Sequence, residues 1–199
     1  MTIEHASRSF PPSGDTCAVA GMPASRLSIA ALWLTVSAIP DPEVPVVSIA
    51  ELGILRGIEW DAVDPSTLVV TVTPTYSGCP ATELIATLIH EALAEAGVTS
   101  VRIDTKLAPP WSTDWISPEG ARKLRDFGIA PPQSGRTAAT TSAIDVAGIS
   151  PLRGSGAAVQ CPRCGSATTE LLSQFGSTAC KAQYRCLDCL EPFDYFKPL

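Results

Sequence analysis

The sequence predicts an α+β protein: a small α/β domain followed by a β-rich ribbon closed by four cysteines. Along residues 26–128, apolar positions switch between helical spacing and the β-branched runs of strands. Four of the seven cysteines then fall in two tight pairs, Cys161-x-x-Cys164 and Cys186-x-x-Cys189, with 21 residues between them. Between the two regions, 129–156 is rich in Ala, Thr, Ser, Gly and Pro and poor in large apolar groups, the composition of a linker that lets its neighbours move.

Residues 1–25 carry no usable apolar period and predict a flexible tail, in which Cys17 is incidental. A helix over 26–38 must end before Pro40, and Pro42 and Pro45 hold the next stretch extended. Leu52 to Trp60 predicts a strand, Asp64-Pro65-Ser66 a turn, and Leu68 to Thr73 a second, β-branched strand. Pro80 suits a first helical turn, from which Leu84, Ile85, Leu88, Ile89 and Leu93 repeat at helical spacing until Gly97. Val98 to Leu107 predicts a third strand, and Pro118 opens a short helix that stops at Gly128. Residues 157–199 form the ribbon, with strand-forming Tyr184, Phe193, Tyr195 and Phe196 flanking the cysteine pairs.

Two Cys-x-x-Cys knuckles are what one tetrahedral thiolate site requires, so Cys161, Cys164, Cys186 and Cys189 are expected to bind structural zinc. A rubredoxin-like iron site uses the same four thiolates, and redox thiols are a third reading. A disulfide framework needs an oxidising compartment, and nothing in the sequence points to export. Cys180 has two readings: a small buried residue of the ribbon's hairpin, which is favoured, or a spare ligand or reactive thiol.

Charge narrows the function. The formal net charge is -6, and 161–199 is neutral, with Arg163, Lys181, Arg185 and Lys197 against Glu170, Asp188, Glu191 and Asp194. That lacks the basic footprint of a nucleic-acid binder. The apolar run Leu27 to Ile39 is 13 residues, short of the roughly 20 that span a bilayer, so no membrane association is expected and the chain is read as cytoplasmic.

In the first domain, Thr73-Pro-Thr-Tyr-Ser-Gly-Cys79-Pro80 leaves a strand and delivers a cysteine to the start of a helix. Unpaired amides and the helix dipole there favour an anion, so the Cys79 thiol is expected to be acidified toward thiolate. Such a thiolate attacks electrophiles or holds soft metals; the same position also suits a small buried residue. The only histidines are His5, in the tail, and His90, eleven residues along the helix, which leaves Cys79 without a catalytic base. Asp41-Pro42-Glu43 sets two carboxylates on a proline-bracketed turn. Trp111 and Trp115 read as core or interface aromatics, with Asp114 between them as a helix cap.

The strings DPEVPVVSIAELGILRGI and VTPTYSGCPA resemble the MIP18-type (DUF59) proteins associated with iron–sulfur cluster assembly. LAPPWSTDWISPEGARKL and the tail CPRCGS…FGSTACKAQYRCLDCLEPFDYFK are similar to the D proteins of bacterial phenylacetate degradation, accessories of the multicomponent phenylacetyl-CoA epoxidase. The resemblance spans 26–199 and implies a MIP18-like domain with a zinc ribbon behind it. It places the family's cysteine on Cys79 and its acidic element on Asp41 and Glu43, and implies a factor without catalysis of its own that assembles or repairs an iron–sulfur or iron centre. The implied partners are the oxygenase and reductase subunits. One cysteine cannot hold a whole cluster, so a homodimer or a client would supply further ligands. Two alternatives stand beside this reading: a structural or coupling subunit, and electron transfer through an iron-loaded ribbon.

Overall fold

The computed structural model describes residues 27–132 and 159–197; the expected tail, with His5 and Cys17, and most of the expected linker lie outside them. The elements run α1 (Ile29–Ser37), β1 (Leu55–Trp60), β2 (Leu68–Val72), α2 (Ala81–Glu95), β3 (Val101–Thr105), a 3-10 turn (Thr113–Trp115), α3 (Pro118–Phe127), β4 (Ile129–Ala130), β5 (Thr169–Ser173), β6 (Lys181–Cys186) and β7 (Pro192–Phe196). The mixed helix-and-sheet class and the β-rich C-terminal module agree with the sequence reading. No helix among the described residues is long and apolar enough to cross a membrane.

The first sheet has the order β1-β2-β3, with β1 antiparallel and β3 parallel to the central strand. Parallel pairing of β2 and β3 requires a crossover, which α2 provides. Alternation along β2 sends Leu68, Val70 and Val72 into the main core, where they meet Leu32 and Val36 of α1 and Ile85, Ile89 and Leu93 of α2. Local chemistry starts two of the helices: the Ser28 hydroxyl accepts the Ala31 N–H at 3.2 Å, and that of Ser117 accepts the Gly120 N–H at 2.9 Å. Ser117, with Pro118 behind it, therefore caps α3; Asp114 lies inside the 3-10 turn.

Gly53 needs its missing side chain. Its φ is +71°, and a Cβ there would lie 2.5 Å from Trp115 Cβ and 2.7 Å from the Trp115 carbonyl oxygen. Gly53→Ala combines left-handed strain with overpacking against backbone, and is expected to cost about 2–3 kcal/mol. A thermal melt checks this, at roughly 2–4 °C per kcal/mol for a chain of this size.

The second sheet has the order β4-β7-β6-β5. Its first strand belongs to the N-terminal module: Ile129 and Ala130, directly after α3, pair in parallel with Asp194 and Tyr195. Composition assigns 129 to a linker between mobile modules, and the structure corrects both points. Two residues carry no period to read, yet they are fixed because Gly128 turns the chain out of α3 in the left-handed region, at φ +97°. Packing continues across the join. Phe196 and Cys180 of the ribbon are buried in the core of the first module, and the Phe196 ring lies 5.9 Å from that of Trp111. The two modules share a sheet and a core.

Candidate metal centre and thiol–carboxylate site

Two groups of chemically capable side chains sit at opposite ends of β6. Cys186 is the last residue of that strand and Cys180 immediately precedes its first. Six residues at about 3.3 Å each put roughly 20 Å between them.

At the far end, the sulfurs of Cys161, Cys164, Cys186 and Cys189 all lie within 4.8 Å of one another. Cys161 Sγ is 3.7 Å from Cys189 Sγ, and Cys164 Sγ is 3.5 Å from Cys186 Sγ. Disulfides would need about 2.05 Å. Four thiolates bound at about 2.3 Å to one tetrahedral ion stand about 3.8 Å apart, so the donor set fits a tetrathiolate metal. Backbone turns shape both knuckles. The Gly165 N–H reaches the Cys161 carbonyl at 2.9 Å, and the Cys189 N–H donates to Cys186 Sγ at 3.5 Å. That amide, with the one at Asp188, holds the Cys186 thiol down at about 7. Cys189 accepts the Glu191 N–H, yet burial and its three sulfur neighbours push it up to about 12. A bound cation is what lets all four stand together as thiolates.

At the near end, three stretches distant in sequence converge. The Asp41 carboxylate is buried and its Oδ1 accepts the N–H groups of Glu43 at 3.0 Å and Val44 at 2.8 Å. Asp41 is thereby occupied in shaping the loop, and the loop aims Glu43. Glu43 Oε2 lies 3.7 Å from Cys180 Sγ, which also contacts Thr178 Oγ1 at 3.0 Å. The third stretch is the turn before α2, where the Cys79 N–H donates to the Tyr76 carbonyl at 3.2 Å and Cys79 is half-buried.

The acidified Cys79 expected from its helix position is not what the structure has. Burial raises its pKa, the Ala81 N–H opposes this, and the charges of Glu43 and Asp41 add to the rise. The amides of a helix start are outweighed by burial together with two carboxylates brought in from a loop 36 to 38 residues upstream. Burial also raises Asp41 against its two N–H bonds, and raises Glu43 with help from Asp41. Cys180 is pushed up to about 11 by burial, partly offset by Thr178, with Glu43 adding to it. Tyr76 rises to about 12, again through burial and then Cys79 and Glu43. At neutral pH the Cys79 and Cys180 thiols of this cluster hold their protons.

The structure thus brings Asp41, Glu43 and Cys79 together and keeps the ribbon's four sulfurs apart from them. Cys180 is buried, as favoured, but it reaches the Glu43 side of the cluster, which its sequence neighbours do not signal. His90 lies exposed on α2. Trp111 is a core residue at the module join, and Trp115 carries the Arg56 guanidinium 3.6 Å from its ring centre.

Comparison with known proteins matches both modules. Residues 30–104 match the family described as iron–sulfur cluster assembly protein, and 148–197 match the PaaD zinc beta ribbon domain. Among solved structures, the chain is similar to a DUF59 domain from Bacillus anthracis (26% identity, 48% of this chain and 90% of that one, TM-score 0.44). It is also similar to a conserved hypothetical protein of Thermotoga maritima (25% identity, 49% and 94%, TM-score 0.41). Among curated proteins, the putative D component of the 1,2-phenylacetyl-CoA epoxidase of Escherichia coli K12, named as one of its subunits, is 45% identical over 171 residues, covering 83% of this chain and 90% of the relative. With that identity over nearly the whole relative, and both modules in place, the chain belongs to the family of phenylacetyl-CoA epoxidase D components.

Proposed function

We propose that this chain is a cytoplasmic accessory factor of the phenylacetyl-CoA epoxidase system that assembles or repairs an iron–sulfur or iron centre of an oxygenase or reductase subunit, with Cys79 as the transient ligand of that cargo. One observation carries the reading. The segment matching the iron–sulfur cluster assembly family contains Cys79, Glu43 and Asp41, and the fold gathers those three into one half-buried cluster. This reading divides the labour among the three residues. Asp41 fixes the loop through two backbone N–H groups, Glu43 offers a carboxylate beside the thiol, and Cys79 stays protonated until a cation displaces the proton. Cys79 alone leaves coordination positions open, for the client or a second copy of the chain to fill. The ribbon's closed four-sulfur site is assigned structural zinc.

Cells growing on phenylacetate with Cys79→Ser in place of the native copy test this. The variant is expected to accumulate folded and zinc-replete, while oxygenase isolated from those cells falls to background activity and is short of iron. Full oxygenase activity with Cys79→Ser overturns the proposal.

A second reading, a stoichiometric coupling role within the complex, draws on the relative's name as a subunit and on exposed Leu171, Leu172, Phe175 and Leu190 of the ribbon. Mature oxygenase assayed with and without the purified chain separates the two. Full rate without it favours the maturation factor.

A further inference from the structure

We propose that Cys180 of the ribbon is a second thiolate of the cargo site, so that one thiophilic divalent cation of the ferrous or zinc class is held across the module seam by Cys79, Cys180 and the Glu43 carboxylate. This rests on the reading of Cys79 as a ligand and extends it to a residue 101 positions away in sequence.

Geometry is the first argument. On a tetrahedral ion, a sulfur at about 2.3 Å and a carboxylate oxygen at about 2.1 Å stand about 3.6 Å apart. Cys180 Sγ and Glu43 Oε2 stand 3.7 Å apart, although 137 residues separate them in the chain. An ordinary structural cysteine in a hairpin would face apolar side chains. This one is buried with its sulfur toward a carboxylate and a hydroxyl, and interacts electrostatically with Cys79.

Charge is the second. Glu43, Asp41 and the two thiols gather at the seam, and the nearby cation is Lys181, whose Nζ is itself 3.8 Å from Asp194. Uptake of a divalent cation by two thiols and an ionised Glu43 releases two protons to water. The seam's net charge is unchanged, so a buried place accepts the ion without a new uncompensated charge. Donor softness fits as well, since two thiolates with one carboxylate suit iron or zinc and disfavour magnesium or calcium.

The seam is also looser than the ribbon site. Among the described residues only the ribbon's four sulfurs lie within 4.8 Å of one another, so Cys79 closes on the Cys180–Glu43 pair only as the ion binds. Cys79 and Glu43 are half-buried, which gives the ion an entry from solvent, whereas Cys180 lies behind them at 3% exposure. A site of this kind takes up and gives up its ion; the ribbon keeps its own.

The test is a cobalt(II) titration of the full chain with the ribbon already filled with zinc, read in the thiolate-to-cobalt charge-transfer band. The native chain is expected to take one further equivalent with a two-thiolate band. Cys180→Ser should halve the band per bound cobalt and weaken binding at least roughly 10-fold. Glu43→Gln should weaken binding while leaving the band per ion intact, and it serves should Cys180→Ser lower the melting temperature. A Cys180→Ser titration identical to the native one, native-like affinity in Glu43→Gln, or no further equivalent at all overturns the inference. The Cys79 reading fails separately, by full oxygenase activity in cells carrying Cys79→Ser.

Discussion

Cys161→Ser is expected to leave the chain without its tightly held metal ion and with a ribbon that no longer closes. The hydrophobic core on the ribbon's own side is small: Ala130, Val159, Cys161, Cys186 and Phe193. Two of its five members are metal ligands. So few buried groups cannot offset the ordering entropy of three strands and two knuckles. Binding of a structural zinc ion supplies about 10–16 kcal/mol in small modules of this kind, and most of that is lost when one thiolate becomes a weak hydroxyl ligand. The expected readings are loss of the stoichiometric metal and rapid amide exchange over 159–197, with α2 and β2 still protected. Retention of one metal equivalent and an unchanged melt would contradict the closed-site account. A strong chelator applied to the native chain should reproduce the variant.

Trp111→Ala is expected to cost about 3–5 kcal/mol, the range for deleting a fully packed aromatic. The ring is 3% exposed, its Nε1–H donates to the Leu52 carbonyl at 2.9 Å, and it packs against Phe196 of the last strand. One side chain therefore ties the loop before β1, the turn before α3 and the ribbon. Its loss opens a cavity and leaves the Leu52 carbonyl without that donor. Urea unfolding should show the midpoint falling, and with it the single transition of the native chain splitting into two as the modules uncouple. Trp111→Phe keeps most of the buried area but not the donor, and should cost about 1–3 kcal/mol. A native-like midpoint for Trp111→Ala would mean that the seam is held elsewhere.

The sequence is most readable where chemistry repeats at short range. Proline at a helix start and glycine at its end bracket α2 within a residue or two, and two Cys-x-x-Cys pairs announce a tetrathiolate site before any fold is known. The Cys79 turn is readable for the same reason. Contacts across long separations leave no local trace. Ile129 and Ala130 have no pattern of their own and become a strand only because β7 lies beside them. The shift of Cys79 changes sign because its helix is local while its burial and its carboxylates are not. Cys180 reads as hairpin filler because Glu43, its polar neighbour, lies on another module.

The short strand β4 has one more consequence. Pro131 and Pro132, which follow it, line the same cavity as Val159 and Gln160. The chain therefore leaves and re-enters the described body at one place, so the two ends to be joined lie close together. Closing a circuit costs entropy that grows only with the logarithm of length, about 0.6 kcal/mol for each doubling. Shortening the chain between those two points is therefore expected to leave the register of both sheets unchanged, which thermal melts of such variants would check.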